Sequence, residues 1–294
     1  MMTRSGVFSK QLQRVKRTTS RLFLPLIAVL VLAGCSTTQT LSVSASPYSI
    51  PSARYAAVVV DGGTGKILHD TRANAIRFPA SLTKMMTMYM AFDALSAGRV
   101  TKNTPIPVSS RAAAQEPSKL LLKAGSTIDM DTALRALAVK SANDVAVAVA
   151  EKLGGTEAKF ARMMTAKARS LGMSSTTFKN ASGLPNKQQV TTARDMAKLG
   201  MALRRNHSRY FGYFGLRSFT YRGRKITGHN RVLGRLRGAN GIKTGYTRAS
   251  GFNLVTSVTS GSKPLIGVIL GENSAASRDK HMVQLLSQHG AKPR

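Results

Sequence analysis

The chain has 294 residues, 43% apolar and 19% charged, a length and balance that provide a sizeable core and exclude a disordered polymer. Lys and Arg number 44 against 12 Asp and Glu, a net charge of +32, so anionic surfaces and polymers are its natural neighbours. With 6% aromatic residues, no Trp and no zinc-finger or helix-turn-helix signature, the charge is not organised into a nucleic-acid reader, and one cysteine excludes an internal disulfide.

Residues 1–21 hold six basic residues and no acid, and Leu22 to Leu32 is almost wholly apolar. This is the layout of an export signal, too short for a spanning helix of about 20 residues. The run ends in Leu32-Ala33-Gly34-Cys35-Ser36, which resembles the lipobox of bacterial lipoproteins. The resemblance implies removal of residues 1–34, lipidation of Cys35 and attachment to a membrane, with Ser36, rather than Asp, tilting the expectation towards the outer one. Cleavage after Ala45, which would release a soluble periplasmic protein, is the alternative. Without residues 1–34 the chain keeps 38 basic and 12 acidic residues, a net charge of +26. Residues 35–53 are rich in Ser and Thr and read as a tether.

A folded domain is expected over residues 54–290, followed by a short tail, 291–294. Tyr55 to Asp61 and Lys66 to His69 flank a Gly62-Gly63-Thr64-Gly65 turn and read as a hairpin. Helical periodicity follows at 81–97, 129–140, 143–153, 156–171 and 191–205, with a long loop at 101–127. Strand patterns return at Ser218–Tyr221, Gly241–Tyr246, Phe252–Thr259 and Leu265–Gly271, and a last helix is expected over Ala276–Gln288. The class is α/β of the α+β type, an antiparallel sheet built from both ends of the chain and covered by helices, with a mainly helical lobe inserted.

Three short motifs carry chemistry. In Ser81-Leu82-Thr83-Lys84 a hydroxyl and an amine three residues apart share one helix face, the spacing of a nucleophile and its base. Alone, the motif reads more plainly as a helix start with a solvated lysine. Ser141-Ala142-Asn143 lies between two helical patterns, and Lys243-Thr244-Gly245 lies on a strand that continues through Tyr246 and Thr247. Ser-x-x-Lys, Ser-x-Asn and Lys-Thr-Gly, in this order, form the set shared by penicillin-binding proteins and serine β-lactamases.

Longer segments extend the likeness. Asp61–Leu68, Pro79–Thr87, Asn180-Ala-Ser-Gly-Leu-Pro185, Thr192–Met196 and Gly241–Thr247 resemble the low-molecular-mass D-alanyl-D-alanine carboxypeptidases, serine peptidases of the bacterial wall. The resemblance implies a DD-peptidase/β-lactamase-like fold with the cleft between helical lobe and sheet. It implies Ser81 as the acylated nucleophile, Lys84 as its base and Ser141 in the proton relay, with Asn143 on the cleft wall. Lys243 and Thr244 would hold the substrate's terminal carboxylate, Gly245 and Tyr246 would bind substrate beside them together with Asn143, and the N–H groups of Ser81 and of Tyr246 or its neighbour would form the oxyanion hole. Expected partners are peptidoglycan stem peptides and, as covalent inhibitors, β-lactams. No cofactor or metal is implied, and the five dispersed histidines lack zinc-site spacing.

Rival functions stay open at this stage. A class A β-lactamase uses a glutamate between the second and third motifs. Here Glu151 and Glu157 follow the second motif closely, residues 158–271 contain no glutamate, and Asp195, their only acid, reads as a first-turn helix residue. A D,D-endopeptidase would use the same residues, and a non-catalytic cationic lipoprotein could keep the fold to bind anionic envelope polymers or lipids. Arg248 departs from the family pattern and is read as a second carboxylate ligand or a solvent-facing cation. The second β-rich domain and amphipathic anchor of many members are missing from this sequence, so anchoring is expected at Cys35.

Overall fold

The computed structural model describes residues 53–260 and 263–294; the export segment, Cys35 and nearly all of the tether lie outside them. β1 (Ala56–Asp61) and β2 (Ile67–Thr71) form the first hairpin. A 3₁₀ turn, Ala80–Leu82, leads into α1 (Thr83–Ser96). β3 (Pro105–Pro107), the single-turn α2 (Ser110–Ala113) and β4 (Thr127–Asp129) come next, and α3 (Met130–Arg135) runs on as a π turn over Ala136–Lys140. Three helices follow, α4 (Asn143–Gly154), α5 (Glu157–Ser170) and α6 (Ala193–Asn206). A 3₁₀ segment, Ser208–Gly215, precedes β5 (Ser218–Tyr221) and β6 (Arg224–Thr227), and another 3₁₀ turn, Arg231–Gly234, precedes the long strands. These are β7 (Ala239–Thr247), β8 (Gly251–Ser260) and β9 (Lys263–Glu272), followed by α7 (Ala275–Ser287).

The main sheet has the order β2-β1-β9-β8-β7 with antiparallel neighbours throughout. The helical lobe therefore interrupts a sheet whose strands come from before and after it, the α+β arrangement expected from the sequence. Both faces of the sheet are covered, which is why its strands read as apolar runs. In β1, Val58 and Val60 face the core shared with the lobe, while Ala57 and Val59 face the core under α7. The same alternation places Val268 of β9 on the first side and Ile269 on the second.

Sequence periodicity located the long elements and the four-residue β5, and missed β3, β4, α2 and β6. The expected loop at 101–127 instead holds β3 and leads into β4, with which β3 pairs, and strands of three residues are too brief to show a period of two. Ser208–Gly215 has no clear sequence period, yet it buries Tyr210, Phe211, Tyr213 and Phe214, three of whose rings stand 5.3–6.0 Å from that of Phe92 in α1. That stack forms only when α1 and residues 208–215 meet, so local pattern does not announce it. α1 is buried on nearly all sides, from Met85 and Met86 to Tyr89 and Phe92, as expected of a central helix. No helix among the described residues is long and apolar enough to cross a membrane.

Candidate active site

The site forms where the start of α1 meets the edge strand β7. Asn253 of β8 fixes the approach: its Nδ2 donates to the carbonyls of Phe78 (3.0 Å) and Pro79 (3.1 Å), and its Oδ1 accepts from the Gly271 N–H at 2.9 Å. Gly245 of β7 lies so close to the turn that a Cβ there would stand 3.1 Å from the Ser81 and Leu82 nitrogens and from the Pro79 oxygen. The third residue of Lys-Thr-Gly is thus a packing requirement, letting strand and nucleophile turn share one wall.

Lys84 is fully buried and does not occupy the solvated position that its motif alone would suggest. Its Nζ lies 3.2 Å from Ser81 Oγ, 2.7 Å from Asn143 Oδ1 and within hydrogen-bond distance of the Ser182 carbonyl. Burial first, and then the charge of Lys243, hold its pKa well below the ordinary lysine value, with Asp144 opposing weakly. A neutral amine has two N–H donors and one lone pair. Asn143 and Ser182 accept the two donors, and the lone pair is left for the Ser81 hydroxyl.

The second wall comes from the turn between the π turn and α4. Ser141 caps that turn with φ at 62°, a left-handed conformation that costs a non-glycine residue about 1–2 kcal/mol. Its buried Oγ has no hydrogen-bond partner among the described residues, although most buried hydroxyls are paired. Asn143 Nδ2 donates to the Glu116 carbonyl and its main-chain N–H to that of Ser118, while Asp144 accepts from the N–H groups of Leu120, Leu122 and Val145. The motif therefore clamps residues 116–122 and holds Pro117 and Ser118 on the cleft wall.

Lys243 is 2% exposed and donates to the Thr244 carbonyl at 3.0 Å. Burial, and then the nearby Arg278 guanidinium, push its pKa down to about 7. Tyr246 is exposed and stacks on Phe252, ring centres 4.3 Å apart. Ser81, Ser141, Asn143, Thr244, Gly245 and Tyr246 line one cavity of about 450 Å³, with Lys84 and Lys243 buried behind them.

Among the cavity residues that sequence reasoning missed, four are ionisable, His229, Arg231, Arg278 and Asp279. They belong to no motif, being delivered by the segment before β7 and by the first turns of α7. Asp279 is the one carboxylate lining the cavity among the described residues, and Arg278 binds it at 2.9 and 2.7 Å. Arg248 is exposed and does not line the cavity; its carbonyl accepts from Arg54 Nη1 at 2.7 Å. Asp195 sits in the first turn of α6, where it accepts from the Ser175 N–H and Thr176 hydroxyl and pairs with Lys198, and Glu157 pairs with Arg111 and accepts from the Ala181 N–H. Both acids support structure away from the cavity. Cys35 lies outside the described residues.

Fold and cleft are those of a serine DD-peptidase. The sequence pattern of the D-alanyl-D-alanine carboxypeptidase family, peptidase family S11, matches residues 42–274, and the chain belongs to this family. It is 32% identical to the D-alanyl-D-alanine carboxypeptidase DacF of Bacillus subtilis over 234 residues, covering 78% of this chain and 60% of the relative. To DacA of Escherichia coli it is 32% identical over 237 residues, 78% of this chain and 59% of that one. The chain thus spans about three-fifths of the length of these relatives. The crystal structure of DacD from Francisella tularensis superposes with a TM-score of 0.77 at 29% identity, covering 87% of this chain and 74% of the other. Penicillin-binding protein 5 from Haemophilus influenzae gives 0.77 at 29%, covering 83% and 72%.

Proposed function

We propose that the protein is a serine D-Ala-D-Ala carboxypeptidase that removes the terminal D-Ala from peptidoglycan pentapeptides. The observation that carries this reading is the environment of Lys84, a buried amine whose Nζ lies 3.2 Å from Ser81 Oγ and is held by Asn143 Oδ1 and the Ser182 carbonyl; in its neutral form those two acceptors take its donors and the lone pair is left for Ser81. Lys84 withdraws the hydroxyl proton as Ser81 Oγ attacks the carbonyl of the penultimate D-Ala. The N–H groups of Ser81 and Tyr246 receive the oxyanion. Protonated Lys243, with Thr244, holds the substrate's carboxylate through charge-assisted hydrogen bonds. The unpartnered Ser141 Oγ passes the proton to the departing amine; D-Ala leaves, and water hydrolyses the acyl-serine.

β-Lactams enter as covalent inhibitors. The penicilloyl ester is long-lived because no glutamate lines the cleft among the described residues and Asp279 is occupied by Arg278. The enzyme acts in the cell envelope after export, anchored by lipid on Cys35, and mass spectrometry of the mature N-terminus distinguishes this from cleavage after Ala45.

Fluorescent penicillin and muropeptides test the reading. Wild type is expected to be labelled, Ser81→Ala not, and D-Ala to be released from the pentapeptide. Unchanged labelling of Ser81→Ala would overturn the acyl-enzyme, and cleavage of cross-linked dimers without D-Ala release would make the protein an endopeptidase.

A further inference from the structure

The seventy-six residues from Met196 to Gly271 contain fourteen Lys or Arg and no Asp or Glu. The fold brings part of this stretch to one edge of the cleft, where Gly228, His229 and Arg231 line the cavity. Two cationic arms leave that edge. One is the β5–β6 hairpin, with Arg222, Arg224 and Lys225 exposed. Gly228 holds its base, the N–H donating to the Arg217 carbonyl at 2.8 Å. The other runs through Arg231–Gly234 to the exposed Arg235 and Arg237, and the Arg237 N–H donates to the Lys292 carbonyl at 2.8 Å.

Neither these five side chains nor Arg231 has a carboxylate within ion-pair distance among the described residues. The charges that act on His229 at the cleft edge have the same sign. His229 is held below the ordinary histidine value by burial and then by Lys243, Lys140, Arg278 and Arg231, all cations. Such an array repels itself until an anionic partner neutralises it.

The partner's shape follows from the arms' position. The large apolar side chains that are exposed, Ile67, Ile76, Leu121 and Tyr246, lie off both arms, so the arms have no apolar wedge to bury in a bilayer. A membrane laid on them would also cover the cleft that Gly228, His229 and Arg231 border. A flexible anionic chain can lie along the arms with its end in the cleft. We infer that the arms are a docking track for the carboxylate-bearing remainder of the same polymer whose D-Ala-D-Ala end occupies the cleft, an inference that rests on the proposed activity. Recognition is guanidinium to carboxylate, outside the reacting centre.

The test uses the full chain and a variant with Arg222, Arg224, Lys225, Arg235 and Arg237 changed to Gln, leaving every cleft residue intact. Substrates are isolated sacculi, sacculi whose carboxylates have been amidated, and an uncharged peptide ending in D-Ala-D-Ala. At low salt the variant is expected to lose at least about tenfold in D-Ala release from untreated sacculi, with wild type falling towards it as salt rises. Penicillin acylation and peptide hydrolysis are expected to stay at wild-type values, and amidation to abolish the difference on sacculi. Replacement of the same five positions by residues that keep the charge, Arg→Lys and Lys→Arg, is expected to restore the rate.

Equal rates on untreated sacculi, with acylation intact, would overturn the track. So would a variant that loses only its binding to phosphatidylglycerol vesicles, which would assign the arms to a membrane. A wild type neither acylated by penicillin nor active on the peptide would instead remove the proposed activity itself, so the two failures are separable.

Discussion

Asn143 Oδ1 lies 2.7 Å from Lys84 Nζ, and the other end of the same amide donates to the Glu116 carbonyl at 2.8 Å. The amide is fixed at both ends, so it presents a neutral acceptor to the lysine in one orientation. A carboxylate there would favour the ammonium form and disable the base. Asn143→Asp is expected to move the acidic limb of kcat/KM to higher pH and to lower activity at neutral pH by about 10²-fold or more. Asn143→Ala removes the acceptor without adding charge, so its limb should move less although its rate also falls. An Asp variant with the wild-type limb would show that Asn143 does not govern the base.

The two buried lysines make the pH dependence opposed. In the proposed reaction Lys84 must be neutral to take a proton, whereas Lys243 must be charged to hold a carboxylate. Activity in kcat/KM is therefore expected to rise as Lys84 loses its proton and to fall as Lys243 loses its own, near pH 7 in the free enzyme. Arg278 is the charged neighbour that depresses Lys243, so removing it together with its partner Asp279 should shift the alkaline limb upward. The double change Arg278→Gln with Asp279→Asn avoids leaving a buried carboxylate unpaired. Stability carries the same signature. The folded pKa of Lys243 lies below its unfolded value, so the unfolded chain binds more protons between about pH 7 and 10.5, and stability rises with pH across that window. Thermal melts of wild type and Lys243→Met should converge at the alkaline end and separate towards neutral pH.

Asn253, fully buried, ties the sheet to the nucleophile turn through two hydrogen bonds and accepts a third from Gly271 of β9. Truncation to Ala would leave buried main-chain groups unpaired, each costing about 1–3 kcal/mol. Asn253→Ala is expected to lower stability by about 3 kcal/mol in urea unfolding and to slow penicillin acylation more than it weakens substrate binding, because the turn carrying Ser81 loses its brace. Asn253→Asp, which keeps one acceptor but loses the two donors, should not rescue either quantity.

The geometry of the candidate site was legible where it is written in short runs. Ser81-Leu82-Thr83-Lys84 needs only a helical turn to bring its hydroxyl and amine together, and Lys243-Thr244-Gly245 needs only a strand. The braces were not legible, because each joins distant parts of the chain: Asn253 reaches Phe78 and Pro79, and Glu157 reaches the loop at Ala181. Nor did sequence show that Lys84 is fully buried, since its Nζ partners Asn143 and Ser182 come from distant parts of the chain. Asp195 shows the converse. Its place in a first helical turn, after a Thr that could cap, was local information, and Thr192 accepts its N–H at 3.1 Å.

Gly183 gives the test of how closely the pieces of the site approach. It adopts φ of 88°, and a Cβ there would lie 1.9 Å from the Ala80 carbonyl oxygen and 2.8 Å from the Ser81 nitrogen. The neighbouring Ser182 carbonyl accepts from Lys84, and Gly183 itself donates to Asn180 Oδ1 at 2.7 Å. The loop cannot retreat without releasing the base. Alanine at φ above zero costs about 1–2 kcal/mol before any clash, and the overlap with Ala80 adds to it. Gly183→Ala is therefore expected to lower the melting temperature by more than about 4 °C and to abolish penicillin labelling of Ser81. The equivalent change at Gly125, also at positive φ but with nothing within 4 Å of its Cβ position, should carry the conformational cost alone and leave labelling intact. Comparing the two separates the strain of a left-handed residue from the packing of this loop against the nucleophile.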